Sequence, residues 1–232
     1  MNMRNVNIVA RYESKLLRRD IVFLGFVVIA LVGISLWQMI KQGRVNVFWY
    51  KVALPSSFPF FSMYYYNLVQ VLIALFVCME VVYRERKKDA MEVFLCRPFR
   101  NSEYCIGRFL GIFRMFLFVN ICVLLVCMYI NLWVVGAPFN VWIYVFYLFT
   151  LSIPTLIFVL GCALSISAMV KNRPLSVLVL GLLGLGIYFY LDEWQFGAFD
   201  FWGRNLPNMF SDVVGHPDLK GYLLHRLTYT GL

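Results

Sequence analysis

The chain has 232 residues, 62% of them hydrophobic and only 14% charged, with a mean hydropathy of +0.75 and a formal net charge of +9. A soluble domain of this size carries nearer half apolar and a quarter charged residues, so that class is excluded. In a soluble protein such positive charge would point to nucleic acid; in so apolar a chain it reads as the loop charge that sets topology, and no nucleic-acid partner is expected.

Several runs reach the roughly 20 apolar residues that cross about 30 Å of hydrocarbon. They are apolar all round rather than alternating, which selects helices over a barrel. The expected fold is all-α: a polytopic membrane bundle forming a single transmembrane domain over residues 1–232. Residues 1–20 are polar, and no small-residue cleavage site follows the first apolar run, so no cleaved signal is read there.

Residues 5–19 predict a short amphipathic helix, with Val9, Tyr12 and Leu16 on one face and Arg11, Lys15 and Arg18 on the other. It reads either as an interfacial helix whose basic side meets anionic lipid or as a plain juxtamembrane anchor. Five spans follow, at about 21–40, 63–82, 109–135, 142–170 and 175–191. The connection 41–62 holds Trp49, Tyr50, Pro55 and Pro59, and Tyr64, Tyr65 and Tyr66 anchor the start of the second span. Pro154 is expected to kink the fourth span, while Gly161, Ser165, Gly181, Gly184 and Gly186 are expected to permit close helix packing.

Loop charge orients the bundle. The N-terminus carries 5 Lys or Arg, segment 83–114 carries 8 and turn 171–174 carries 2, against 3, 0 and 3 in the alternate connections 41–62, 136–141 and 192–232. The positive-inside rule then makes the N-terminus cytoplasmic and 192–232 external. The closing stretch 219–232 reads as the approach to a further span, so the chain is expected to be the N-terminal part of a longer protein whose sixth span is lost.

Between the second and third spans lies a charged island, 83–108, holding 7 of the 21 Lys and Arg. Glu85, Asp89 and Glu92 fall at i, i+4 and i+7, within about 60° of one another on a helix, and Phe94 lies almost opposite, flanked by Ala90 and Met91. Residues 84–95 thus predict a two-faced helix that either docks in a partner's groove or lies on the membrane with its apolar ridge in lipid. Arg97-Pro98-Phe99-Arg100 breaks it, and Asn101 or Ser102 can cap the helix that climbs into the third span.

Polar residues inside spans are pathway candidates by default. Asn67 and Gln70 share a face of the second span. Glu80 sits four residues before Arg84, so it reads as a local ion pair or as a proton carrier. Asn120 and Asn131 suit interhelical hydrogen bonds. The six cysteines include no CxxC pair and read as small packing residues, and His216 and His225 lack surrounding ligands, so neither a disulfide framework nor a metal site is expected. No catalytic constellation and no phosphate-loop motif occurs, so no enzyme activity and no cofactor is expected of the chain, and any ATP-derived energy must come from elsewhere.

The run from Glu85 through Pro98 and Arg100 to Gly107-Arg108 resembles the cytoplasmic loop of type-2 ABC exporter permeases. Their pattern is an acidic residue and basic cluster, a Thr-Xaa-Glu step, an apolar residue, Pro, then a small or polar residue and Gly-Lys. Here Ala90 stands where Thr is common and Arg108 where Lys is usual. The likeness extends to the amphipathic start, the spacing of spans and the tail from Leu206 to Gly215. It implies a permease subunit of the bacterial inner membrane that dimerises with a second copy or a related permease and is energised by a separate ATPase. It also implies a coupling helix seated on that ATPase, using Glu85, Asp89, Met91, Glu92, Phe94, Pro98 and Arg100. The alternative is a non-transporting membrane scaffold or sensor that recruits a cytoplasmic partner through 83–108.

Overall fold

The computed structural model of the protein describes residues 2–43, 56–85, 100–133, 139–170, 172–186 and 215–230. These form α1 (Met3–Leu17), α2 (Ile21–Gly43), α3 (Ser57–Glu85), α4 (Asn101–Trp133), α5 (Val141–Tyr147), a π turn (Leu148–Ser152), α6 (Ile153–Met169), α7 (Arg173–Gly186) and α8 (Leu219–Thr228). The described residues are helical almost throughout and contain no strand element.

Four of these stretches are long and apolar enough to cross a membrane: Ile21–Gln38, Phe58–Arg84, Asn101–Trp133 and Val141–Met169. The predicted fifth span, 175–191, is described only to Gly186. Its helix α7 has 14 residues, about 21 Å at the usual rise and short of about 30 Å of hydrocarbon. Residues 187–191 lie outside the described residues.

The helices begin earlier than hydropathy alone predicts. α3 starts at Ser57 rather than near 63, because Pro59 falls in its first turn, where a missing N–H is harmless. α4 is one continuous 33-residue helix from Asn101. Asn101 and Ser102 are its first residues rather than its cap, and the Arg100 carbonyl accepts from Tyr104.

α4 is the centre of the bundle, with α1, α2, α3 and α6 laid against it. α3 and α6 form the other extensive pairing. Gln38 of α2 donates to Ser62 of α3 (2.5 Å), and Asn131 of α4 donates to the Tyr144 hydroxyl of α5 (2.8 Å). Arg84 and Glu103 meet α1 at the opposite end of the bundle. The long helices therefore alternate in direction. Phe23 and Phe26 of α2 meet Phe116 of α4 with ring centroids 5.5 and 5.9 Å apart. The outer face of α2, with Val28, Ile29, Val32 and Leu36, stays exposed, as an apolar helix bordering lipid should.

At the expected kink the structure has a π turn. The Ile153 N–H reaches the Leu148 carbonyl, one residue beyond the α pattern, just before Pro154. Gly161 and Gly181 have open space where a Cβ would sit, so neither mediates a close approach among the described residues. The close approach is elsewhere, at Gly107 and Gly111.

Candidate functional site

The helix ends that flank residues 86–99 are held by α1. This helix buries Val6, Val9, Ala10, Glu13 and Leu17, a stripe at i, i+3, i+4, i+7 and i+11. The predicted face of Val9, Tyr12 and Leu16 is thus rotated: Tyr12 is exposed and Leu16 half-buried, while Arg11, Lys15 and Arg18 point outward as expected. The reason is α4. A Cβ on Gly107 would lie 2.7 Å from Val9 Cβ and 2.8 Å from the Val6 carbonyl; one on Gly111 would lie 2.7 Å from Glu13 Cβ and 2.8 Å from the Ala10 carbonyl. Glycines four apart let the helix backbones touch. Ser14 Oγ uses that closeness to donate to both the Ala10 carbonyl (2.8 Å) and the Gly111 carbonyl (3.0 Å).

Polar contacts tie α1 to α3 and α4. The Asn2 backbone N–H donates to Glu103 Oε1 (2.5 Å), and Asn5 Nδ2 donates to Oε2 (3.0 Å). Glu103 also lies in the first turn of α4, so one buried carboxylate faces the positive ends of two helices. Arg84, next to last in α3, pairs with Glu13 Oε2 at 3.3 Å. The Glu13 side chain is 3% exposed and that of Arg84 35%. This pair reaches across 71 residues, and Glu80, the predicted local partner of Arg84, is half-buried. Arg108 is buried: its Nη2 donates to the Val81 carbonyl and its guanidinium lies over the Tyr104 ring. Arg114 stays exposed and donates to Asn7 Oδ1 (3.1 Å).

Deeper in the bundle, Asn120 Nδ2 donates to Gln70 Oε1 (2.6 Å) and to the Phe116 carbonyl (2.8 Å). Asn67 and Gln70 are each 1% exposed. Both amide atoms of Asn67 lack a hydrogen-bond partner among the described residues, as do Gln70 Nε2 and Asn120 Oδ1.

Of the residues predicted for coupling, Asp89, Met91, Glu92, Phe94 and Pro98 lie outside the described residues. Glu85 ends α3, and Arg100 is exposed at the entrance to α4. The structure thus brings together the flanks of the island and gathers Asn67, Gln70 and Asn120 inside. Glu13, Glu103 and Gly107-x-x-x-Gly111 escape a reading by composition. Only the glycine spacing was a visible signal, because the two carboxylates acquire meaning from partners distant in sequence.

Cys78, Cys105, Cys122, Cys127 and Cys162 are free thiols. His216 lies against Phe146 and Tyr222, and His225 against Tyr229. Among the described residues no three His, Cys, Asp or Glu side chains gather as metal ligands. No protein-family model and no curated relative matches the chain.

Proposed function

We propose that the chain is the transmembrane permease subunit of an ATP-binding-cassette exporter, moving its cargo across a bacterial inner membrane on ATP hydrolysed by a separate subunit. In this reading 175–191 supplies a fifth span, and a second copy or related permease completes the pore. The N-terminus is cytoplasmic, in keeping with the Lys and Arg collected on α1 and around the ends of 86–99.

The observation that carries the reading is the brace. Glu13 holds the exit of α3 through Arg84, and Glu103 at the entrance of α4 holds the start of α1. A partner seated on 86–99 therefore acts on two spans that are already tied to each other, which is what a rigid-body transition between inward- and outward-open states requires. Asn67 and Gln70 are enclosed within the chain, so in this reading they meet cargo only when the spans part, with Glu80 nearer the partner side.

The test reverses the acidic stripe: Glu85→Lys, Asp89→Lys and Glu92→Lys together. Loss of co-purification with a phosphate-loop ATPase, with the permease still folded, is the expected result. Retained assembly with ATP-driven transport overturns the coupling role. An unchanged partner that hydrolyses no ATP puts the scaffold reading in its place.

A further inference from the structure

A π turn running into an α-helix shifts the hydrogen-bond register by one residue, so one carbonyl at the junction has no backbone donor. Pro154 lacks an N–H and removes a second donor from the same place. Backbone carbonyls beside the turn then depend on donors outside the backbone ladder. In hydrocarbon an unsatisfied carbonyl is costly, because no water replaces the lost bond.

The donors come from the other end of the sequence. Arg226 of α8 is 2% exposed, and its Nε donates to the Thr150 carbonyl at 2.8 Å. Its Nη2 donates to the Leu151 carbonyl at 3.3 Å and to Thr155 Oγ1 at 3.2 Å. Thr155 Oγ1 itself donates to the Leu151 carbonyl (2.7 Å). One turn earlier on α8, the Tyr222 hydroxyl donates to Thr150 Oγ1 (3.1 Å), and its ring stacks on Phe146 at 5.8 Å. Phe158 meets Tyr229 edge-on at 5.5 Å. The opposite face of α8 presents Leu223, Leu224 and Leu227. Thr150 is nine residues into Val141–Met169, about 14 Å from the Val141 end at the usual helical rise. Residues 219–228 are thus laid along the span, with an arginine reaching into it.

We infer that Arg226 serves as the missing backbone donor of the Pro154 π turn, so that the docking of α8 and the bend of the α5–α6 span form one two-state latch. With α8 seated, the Thr150 and Leu151 carbonyls have side-chain donors and the π turn is stable. When α8 leaves, those carbonyls are orphaned and the span must repack. The position of the tail helix and the shape of the span therefore change together, whichever partner drives the chain.

The experiment uses the full chain in lipid nanodiscs, read by hydrogen exchange of residues 219–228 and by thermal unfolding. Arg226→Gln should raise amide exchange in α8 at least tenfold while leaving α1 protected. Pro154→Ala restores one donor, so Arg226→Gln should lower Tm less in the Pro154→Ala background than in the natural one. Arg226→Lys, which keeps the charge but not the fork, should fall between. If Arg226→Gln does not yield folded protein, recovery of folding by adding Pro154→Ala supports the latch, and failure to recover overturns it. Unchanged exchange in α8, or equal Tm losses in both backgrounds, also overturns it.

Discussion

α1 and α8 are both short helices laid on longer ones, and both bury charge, but they neutralise it differently. α1 sits where chain ends and charged residues gather, and its Glu13 meets a full opposite charge on Arg84. α8 lies against the apolar body of a span, where Arg226 meets the Thr150 and Leu151 carbonyls of the π turn before Pro154. An ion pair couples elements that can each be wetted when separated. A carbonyl-capping arginine couples elements of which one has nowhere wet to go, so α8 should be the more all-or-none of the two.

The contrast is broken most forcefully at the brace. Arg84→Ala leaves the Glu13 carboxylate buried without its cation, and the loss should fall near the lower end of the about 3–5 kcal/mol seen when one partner of a buried pair is removed. Glu13→Gln should cost less, because Arg84 is 35% exposed and can turn to water. Glu13→Leu combined with Arg84→Ala should recover most of the loss. Chemical denaturation together with proteolysis of α1 checks this ordering, and equal costs for the two single changes would contradict the asymmetry.

Next in size is the close approach. Gly111→Ala puts a methyl against the Ala10 carbonyl and Glu13 Cβ, so it should cost about 1–3 kcal/mol and loosen α1. Gly161→Ala and Gly181→Ala meet open space among the described residues and should be neutral or stabilising by up to about 1 kcal/mol. Thermal shifts of the three variants in one detergent separate them.

The buried amides sharpen the picture further. Asn67→Leu removes an unpartnered amide and should leave stability unchanged or raise it by about 1 kcal/mol, whereas Asn120→Leu strands Gln70 Oε1 and should cost about 1–2 kcal/mol. A stable Asn67→Leu protein that no longer transports would place Asn67 on the pathway; one that transports normally would remove it.

The smallest effect concerns pH at the α8 dock. Burial pushes the His216 imidazole below its ordinary 6.5, partly opposed by the Asp218 carboxylate. A depressed histidine favours the docked state above the free value and disfavours it as pH falls below about 6.5, where the undocked form takes up the proton first. Exchange of α8 amides should rise modestly over that interval and flatten in His216→Gln.

Much of the framework is legible along the chain because it is local. Uninterrupted apolar length announces the four long helices, and Pro154 announces a break in the last of them, since a missing N–H disturbs whichever helix holds it. The helix ends are less legible: Ser57 and Asn101 begin their helices in polar or interfacial sequence that hydropathy counts as loop. The phase of α1 is misread because a glutamate scores as solvent-facing, although Glu13 is among its most buried residues. Gly107 and Gly111 carry the familiar small-residue spacing, but so does Gly161-x-x-x-Ser165, whose glycine meets no close neighbour among the described residues.

Composition and hydropathy settle the class of molecule: a helical chain with stretches of membrane-spanning length. Those properties follow from composition over windows shorter than one helix. Packing decides which charges are partners: Glu13 with Arg84, Glu103 with the start of α1, Arg226 with the carbonyls of Thr150 and Leu151. Each of these contacts joins residues at least 70 positions apart. Burial gives such a pair its strength, and burial exists only once the helices have packed.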